Sequence, residues 1–67
     1  MLDLMFSKHA RMRMVERGIS AKEVNEAVNK GSKRRRDREI ISAYKHIVVV
    51  FRVVNRKYYV ITVMSRW

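Results

Sequence analysis

The sequence contains no cysteine and no proline, and only two glycines, Gly18 and Gly31. Without cysteine there can be no disulfide, no thiolate nucleophile and no Cys-based zinc or iron–sulfur site. Without proline, and with so little glycine, long structureless linkers are not expected. Two histidines, His9 and His46, are too few and too far apart in sequence to mark a metal cluster. No apolar run reaches the roughly 18 residues that a membrane span needs. The opening Met1-Leu2-Asp3-Leu4-Met5-Phe6 has neither the basic start nor the cleavage site of a signal peptide. The expectation is a cytoplasmic chain with no membrane partner, no metal and no cofactor. Negative charge is also scarce. Six Asp and Glu stand against sixteen Lys and Arg, for a formal net charge of +10. So few carboxylates argue against a two-metal nuclease, which gathers several of them in one pocket. The excess of cations instead favours a polyanionic partner: nucleic acid such as RNA, an anionic membrane surface or an acidic protein.

What is present suffices for one small domain spanning residues 1–67. Apolar residues make up 48% of the chain, an ordinary share for a globular fold. Residues 7–17 read as a helix, with Ser7 as N-cap and Gly18 as the glycine that ends it. Residues 20–30 carry stronger signals. Ser20 and Glu23 have capping-box spacing, and Ile19 and Val24 have the spacing of a hydrophobic staple. Val24, Ala27 and Val28 form the buried stripe, and Gly31 closes the helix.

The remainder reads as β. Ile40–Tyr44 alternates, Ile47–Val54 is apolar except for Arg52, and Tyr58–Met64 is rich in β-branched and aromatic residues. Asn55-Arg56-Lys57 reads as the hairpin turn between the last two strands. Leu2–Phe6 is either a short strand or an early helical turn. The fold class is therefore α+β: two N-terminal helices packed on one face of a three- to four-stranded antiparallel sheet. In the central strand, Ile47, Val49, Phe51 and Val53 point one way, and Val48, Val50 and Val54 the other. Both faces want cover, and two short helices cover one. Either the small sheet curls over its second face, or a homodimer or a partner protein covers it.

Three side chains on the first helix stand out. His9, Arg13 and Arg17 recur every four residues and fall within about 80° of one another. Ala10 and Met14 occupy the adjoining arc, so the stripe borders the buried side. Stacked cations repel unless an anion joins them. Either Glu16 supplies it in an Arg–Glu network beside a packed His9, or the stripe is a phosphate site with a titratable base.

A second group is the run Lys33-Arg34-Arg35-Arg36-Asp37-Arg38. It is either a solvated edge that blocks sheet-to-sheet association or a contact to a nucleic-acid backbone. Tyr44, Tyr58, Tyr59 and Trp67 could stack on bases, although strand tyrosines are also ordinary half-buried core. Thr62 suits a strand, and His46 sits at a strand junction. No Ser–His–Asp set, phosphate-binding Gly-rich loop or zinc-protease helix is present.

The segment His9-Ala10-x-x-Arg13-Met14-x-x-Arg17-Gly18-Ile19-Ser20 resembles the opening signature of a family of small prokaryotic domains of unknown function. That family is similar to RelE-like ribonuclease toxins, in a group that includes barnase-like enzymes. Tyr44, the Val48–Phe51 run and Val60-Ile61-Thr62-Val63 fit the same order. The resemblance implies a RelE-like or barnase-like arrangement. It also implies a metal-independent endoribonuclease of toxin type, with an acidic antitoxin as partner. On matching positions it points to His9, Arg13, Arg17, Tyr44 and Thr62. Arg11 and the basic 33–38 run are additions in this chain. In such chemistry a 2′-hydroxyl attacks its own 3′ phosphate. His9 would act as base and Arg13 and Arg17 would hold the phosphate. A non-catalytic RNA- or DNA-binding module, or a plain interaction domain, uses the same basic surface without cleavage.

Overall fold

The computed structural model describes residues 3–66. Seven elements follow in order: β1 (Asp3–Phe6), α1 (Lys8–Arg17), α2 (Ala21–Lys30), β2 (Ser32–Arg36), β3 (Glu39–Tyr44), β4 (Ile47–Val54) and β5 (Lys57–Ser65). The strands form one sheet in the order β1-β5-β4-β3-β2. The α+β class and the two N-terminal helices match the sequence expectation. The sheet does not: it has five strands and is mixed, because β1 runs parallel to β5.

Both extra strands sit at the edges. Residues 3–6 resolve the strand-or-turn ambiguity of the N-terminal segment as a strand. The basic run is a strand over residues 32–36, paired antiparallel to β3. Neither edge strand needs a continuous apolar stripe, since half of its surroundings are water, and so neither shows strand periodicity in the sequence.

The caps are as read. Ser7 Oγ accepts the Ala10 N–H and itself donates to the Ile61 carbonyl at 2.7 Å, tying the start of α1 to β5. Gly18 adopts φ 64°, and the Ile19 N–H bonds back to the Met14 carbonyl. Ser20 and Glu23 exchange both bonds of a capping box.

Three two-residue turns link β2 to β5 into a meander: Asp37-Arg38, Lys45-His46 and Asn55-Arg56. Asn55 and Arg56 both have positive φ, the pattern that matches the twist of paired strands. The loop is thus two residues, and Lys57 already belongs to β5.

The helices pack on one face only, α1 over β5 and α2 over β3 and β4. Ala10, Ile19, Val24, Ala27, Val28, Ile47, Val49, Phe51, Val60 and Val63 form the core between them. Phe51 meets Tyr58 edge-to-face at 5.3 Å. A bulge between Val50 and Phe51 leaves Ile61 as the extra residue of β5. It lets Val60 and Val63 both reach the core. Val53 does not follow the inward series: it is exposed, as are its neighbours at that end of β4.

One buried polar contact joins helix to sheet. Ser42, fully buried on β3, donates its hydroxyl to the Ala27 carbonyl, which also accepts the Gly31 N–H. A Cβ at position 31 would collide with Ser42 Oγ and the Ala27 carbonyl. Glycine is therefore required there for space, since its φ of −70° suits any residue. Gly31→Ala should lower stability by about 1–3 kcal/mol, the usual cost of overpacking a filled site. Urea denaturation should show the loss as a lower midpoint at unchanged slope. An unchanged midpoint would show that α2 and β3 can move apart freely.

Candidate nucleic-acid interface

Four consecutive side chains of β2, Lys33 to Arg36, are exposed at the sheet edge. Successive strand side chains alternate between faces. Lys33 and Arg35 therefore lean toward the helix side, and Arg34 and Arg36 toward the helix-free side. Lys33 is engaged: its Nζ donates to the Gly31 carbonyl at 3.0 Å and the Asn29 carbonyl at 3.4 Å, at the negative end of the α2 dipole. Arg36 pairs with Glu39 at 3.5 Å. The side chains of Arg34, Arg35 and Arg38 have no hydrogen bond or ion pair with any described residue. Cations held side by side without counter-charges repel one another, and an external polyanion relieves that repulsion.

The α1 stripe is the second basic feature. Ala10 is buried and Met14 packs against the core, so the helix settles with Arg13 half-buried at its border and His9 and Arg17 exposed. No ion pair joins Glu16 to Arg13 or Arg17 among the described residues. Of the two readings of the stripe, the internal Arg–Glu network is absent there, and His9 is exposed instead of packed. The stripe is open to an outside anion.

The other candidate residues are distributed. Tyr44 ends β3 on the core face, half-buried, with Lys45 Nζ 5.3 Å from its ring centre. His46 follows in the turn, where its carbonyl accepts the Arg66 N–H at 2.9 Å. Lys45 and His46 lie close enough to α2 to act on Glu23. Its carboxyl is held below the usual range, first by the Ser20 backbone N–H and next by the Ser20 hydroxyl; desolvation works against them, and the nearby His46 and Lys45 add smaller effects in the lowering direction. Thr62 pairs with Val50 and so faces away from the helices. Tyr58 is half-buried against Phe51, whereas Tyr59 presents its ring on the helix-free face. Trp67 lies outside the described residues.

A family model described as a domain of unknown function (DUF4258) matches residues 6–65. The chain belongs to that family. No curated protein and no solved structure matches it. The matched span holds α1, α2 and β2–β5 whole, so the basic edge and the α1 stripe are both parts of the DUF4258 domain. Among the described residues no three His, Asp or Glu gather as metal ligands, and no helix is long and apolar enough to cross a membrane.

The sheet itself separates His9 from Thr62. Substitutions that share no partners add within about 0.3–0.5 kcal/mol. His9→Ala and Thr62→Val should therefore add within that margin in a double-mutant cycle of unfolding free energies. A larger coupling would place the two residues in one site.

Proposed function

We propose that this DUF4258 domain is a small RNA-binding protein that grips the phosphate backbone through its β2 edge. The observation that carries the reading is the row Arg34, Arg35, Arg36, continued by Arg38. These residues are exposed, and among the described residues only Arg36 is paired with a carboxylate. An edge strand fixes them along an extended line, the geometry that follows a strand of nucleic acid. Tyr59, on the helix-free face, offers a base a stacking surface.

Binding to a single strand should weaken with salt, with log K falling by about 0.7 per phosphate contacted for each unit of log salt. Arg34→Ala, Arg35→Ala and Arg36→Ala together should reduce that slope by about 2, read by fluorescence anisotropy of a labelled RNA across a salt series. A slope that does not change makes the strand a solvated edge. Equal affinity at low and high salt removes nucleic acid from the account.

A second reading, cleavage, is favoured by the His9, Arg13 and Arg17 stripe, which has no ion pair among the described residues, and by its resemblance to RelE-like toxins. In it His9 removes the 2′-hydroxyl proton, and the oxygen attacks the adjacent phosphorus. Arg13 and Arg17 bind the phosphate and the charge that builds on it. Tyr44 or His46 would protonate the leaving 5′ oxygen. Thr62 faces the other side of the sheet and takes no part in this proposal. An acidic antitoxin would be the natural partner of such an enzyme.

Wild-type protein should cut RNA in EDTA and leave a 2′,3′-cyclic phosphate. His9→Ala should lose about 10²–10⁴-fold in rate while binding RNA nearly as before. Arg13→Ala should weaken both. RNA with a 2′-O-methyl group at the scissile position should bind and stay intact. If pure protein cuts no RNA, alone or with ribosomes, the chain is a binding module and His9 is a surface side chain.

A further inference from the structure

The sheet face without helices is finished differently from the helix-bearing one. Strand pairing lays out one row, Thr62–Val50–Ile41–Arg34, across four strands, and a second, Met64–Val48–Ala43–Ser32, beside it. A third row joins Met5, Tyr59 and Arg52. Val50 is only 5% exposed although no helix covers it, because the bulged, twisted sheet closes its own neighbours around it. The curling stops there. Tyr59 is 37% exposed, Met64 42% and Met5 47%.

Cations surround this apolar strip. Arg34 and Arg66 line the groove over Ile41, Ala43 and Val48, and Arg52 lies between Tyr59 and the Arg36–Glu39 pair. Lys57 stands at the far end. The carboxylates that register with these rows are Asp3, opposite Lys57, and Glu39, held by Arg36.

We infer that this face docks an acidic, amphipathic helix of a partner protein. Its apolar stripe would lie on Val48, Met64 and Tyr59, and its Asp and Glu side chains would meet Arg34, Arg52 and Arg66. Charge complementarity selects this occupant. A second copy would bring another +10 onto the same basic rim. The strip is mostly aliphatic, with Tyr59 as its one outward ring, so it offers a strand of bases a single stacking position at its edge and few hydrogen bonds. A helix is the standard complement to an apolar sheet face, as α1 and α2 show on the other side. The inference does not rest on the proposed RNA binding, although Arg34 and Tyr59 belong to both surfaces.

The probe is a labelled 18-residue synthetic peptide, with leucines along one helical stripe and glutamates elsewhere. Its scrambled isomer has the same charge but no stripe. In 0.5 M NaCl, where simple charge attraction is screened, the striped peptide should bind at least tenfold more tightly. Tyr59→Glu with Met64→Glu, both at exposed positions, should abolish the preference while the circular dichroism spectrum is retained. Equal binding of the two peptides overturns the inference. A preference that survives the double variant moves the dock elsewhere, to the exposed Met12 and Val15 of α1 for instance, and overturns it too. Sedimentation equilibrium supplies a third arm: a dimer that the double variant dissolves assigns the face to a second copy. Loss of RNA binding in the double variant, without any peptide preference, assigns it to RNA. Failure of RNA binding with the peptide preference intact sinks only the proposed function.

Discussion

The Ala27 carbonyl is the point on which the helix layer and the sheet agree. It takes two donors, the Gly31 N–H that ends α2 and the buried Ser42 hydroxyl of β3. A carbonyl has two lone pairs, so both bonds form without leaving a buried polar atom unpaired. The contact works only at very close approach, and the missing Cβ of Gly31 permits it. That distance places Val24, Ala27 and Val28 against β3 and β4. It also sets the turn from α2 into β2, and hence where the basic edge begins. A chain this short has little other burial to spend on fixing such a junction.

The +10 charge is distributed with a structural logic. Cations on an open edge strand prevent another strand from pairing with it, which an apolar edge would invite. Lys33 neutralises the carbonyl end of α2, a local duty that removes it from the free set. Arg34 and Arg35 have no such duty, and they sit beside one another on a strand whose other neighbour is solvent. The same residues can therefore protect the edge and recognise an anion. These roles conflict only if the anion is itself a β-strand.

The helices were legible because their ends are written in local chemistry: Ser7, Gly18, the Ser20–Glu23 box and the Ile19–Val24 pair each act within a few residues. The stripe of His9, Arg13 and Arg17 was legible for the same reason, since helical periodicity fixes which residues share a side. β3, β4 and β5 were legible from their apolar runs. Charge left β2 open between a loop and a strand edge, because Lys33–Arg36 has no alternation to mark a strand. Brevity left β1 open between a strand and a helical turn, since its four residues gain their meaning from a partner more than fifty positions away. Ser42 falls within the Ile40–Tyr44 strand, and its bond to the Ala27 carbonyl depends on helix–sheet packing that the sequence does not mark. The side of the sheet on which Thr62 falls depends on register and on the Ile61 bulge, and neither can be counted from the strand alone.

The pairing of β1 with β5 has a consequence in time. Every other strand contact closes across a two-residue turn, so β2 to β5 can zip up from local encounters. The Ser7 and Ile61 contact spans 54 positions, and closing a loop of that size costs about 3.5 kcal/mol in chain entropy. Until β1 and α1 arrive, β5 is itself an edge, and a very different one from β2: Tyr58-Tyr59-Val60-Ile61 carries no charge. Closing that long loop is therefore also the step that covers the least charged strand edge of the domain. A chain that has not yet made it presents an apolar edge on which another chain could pair.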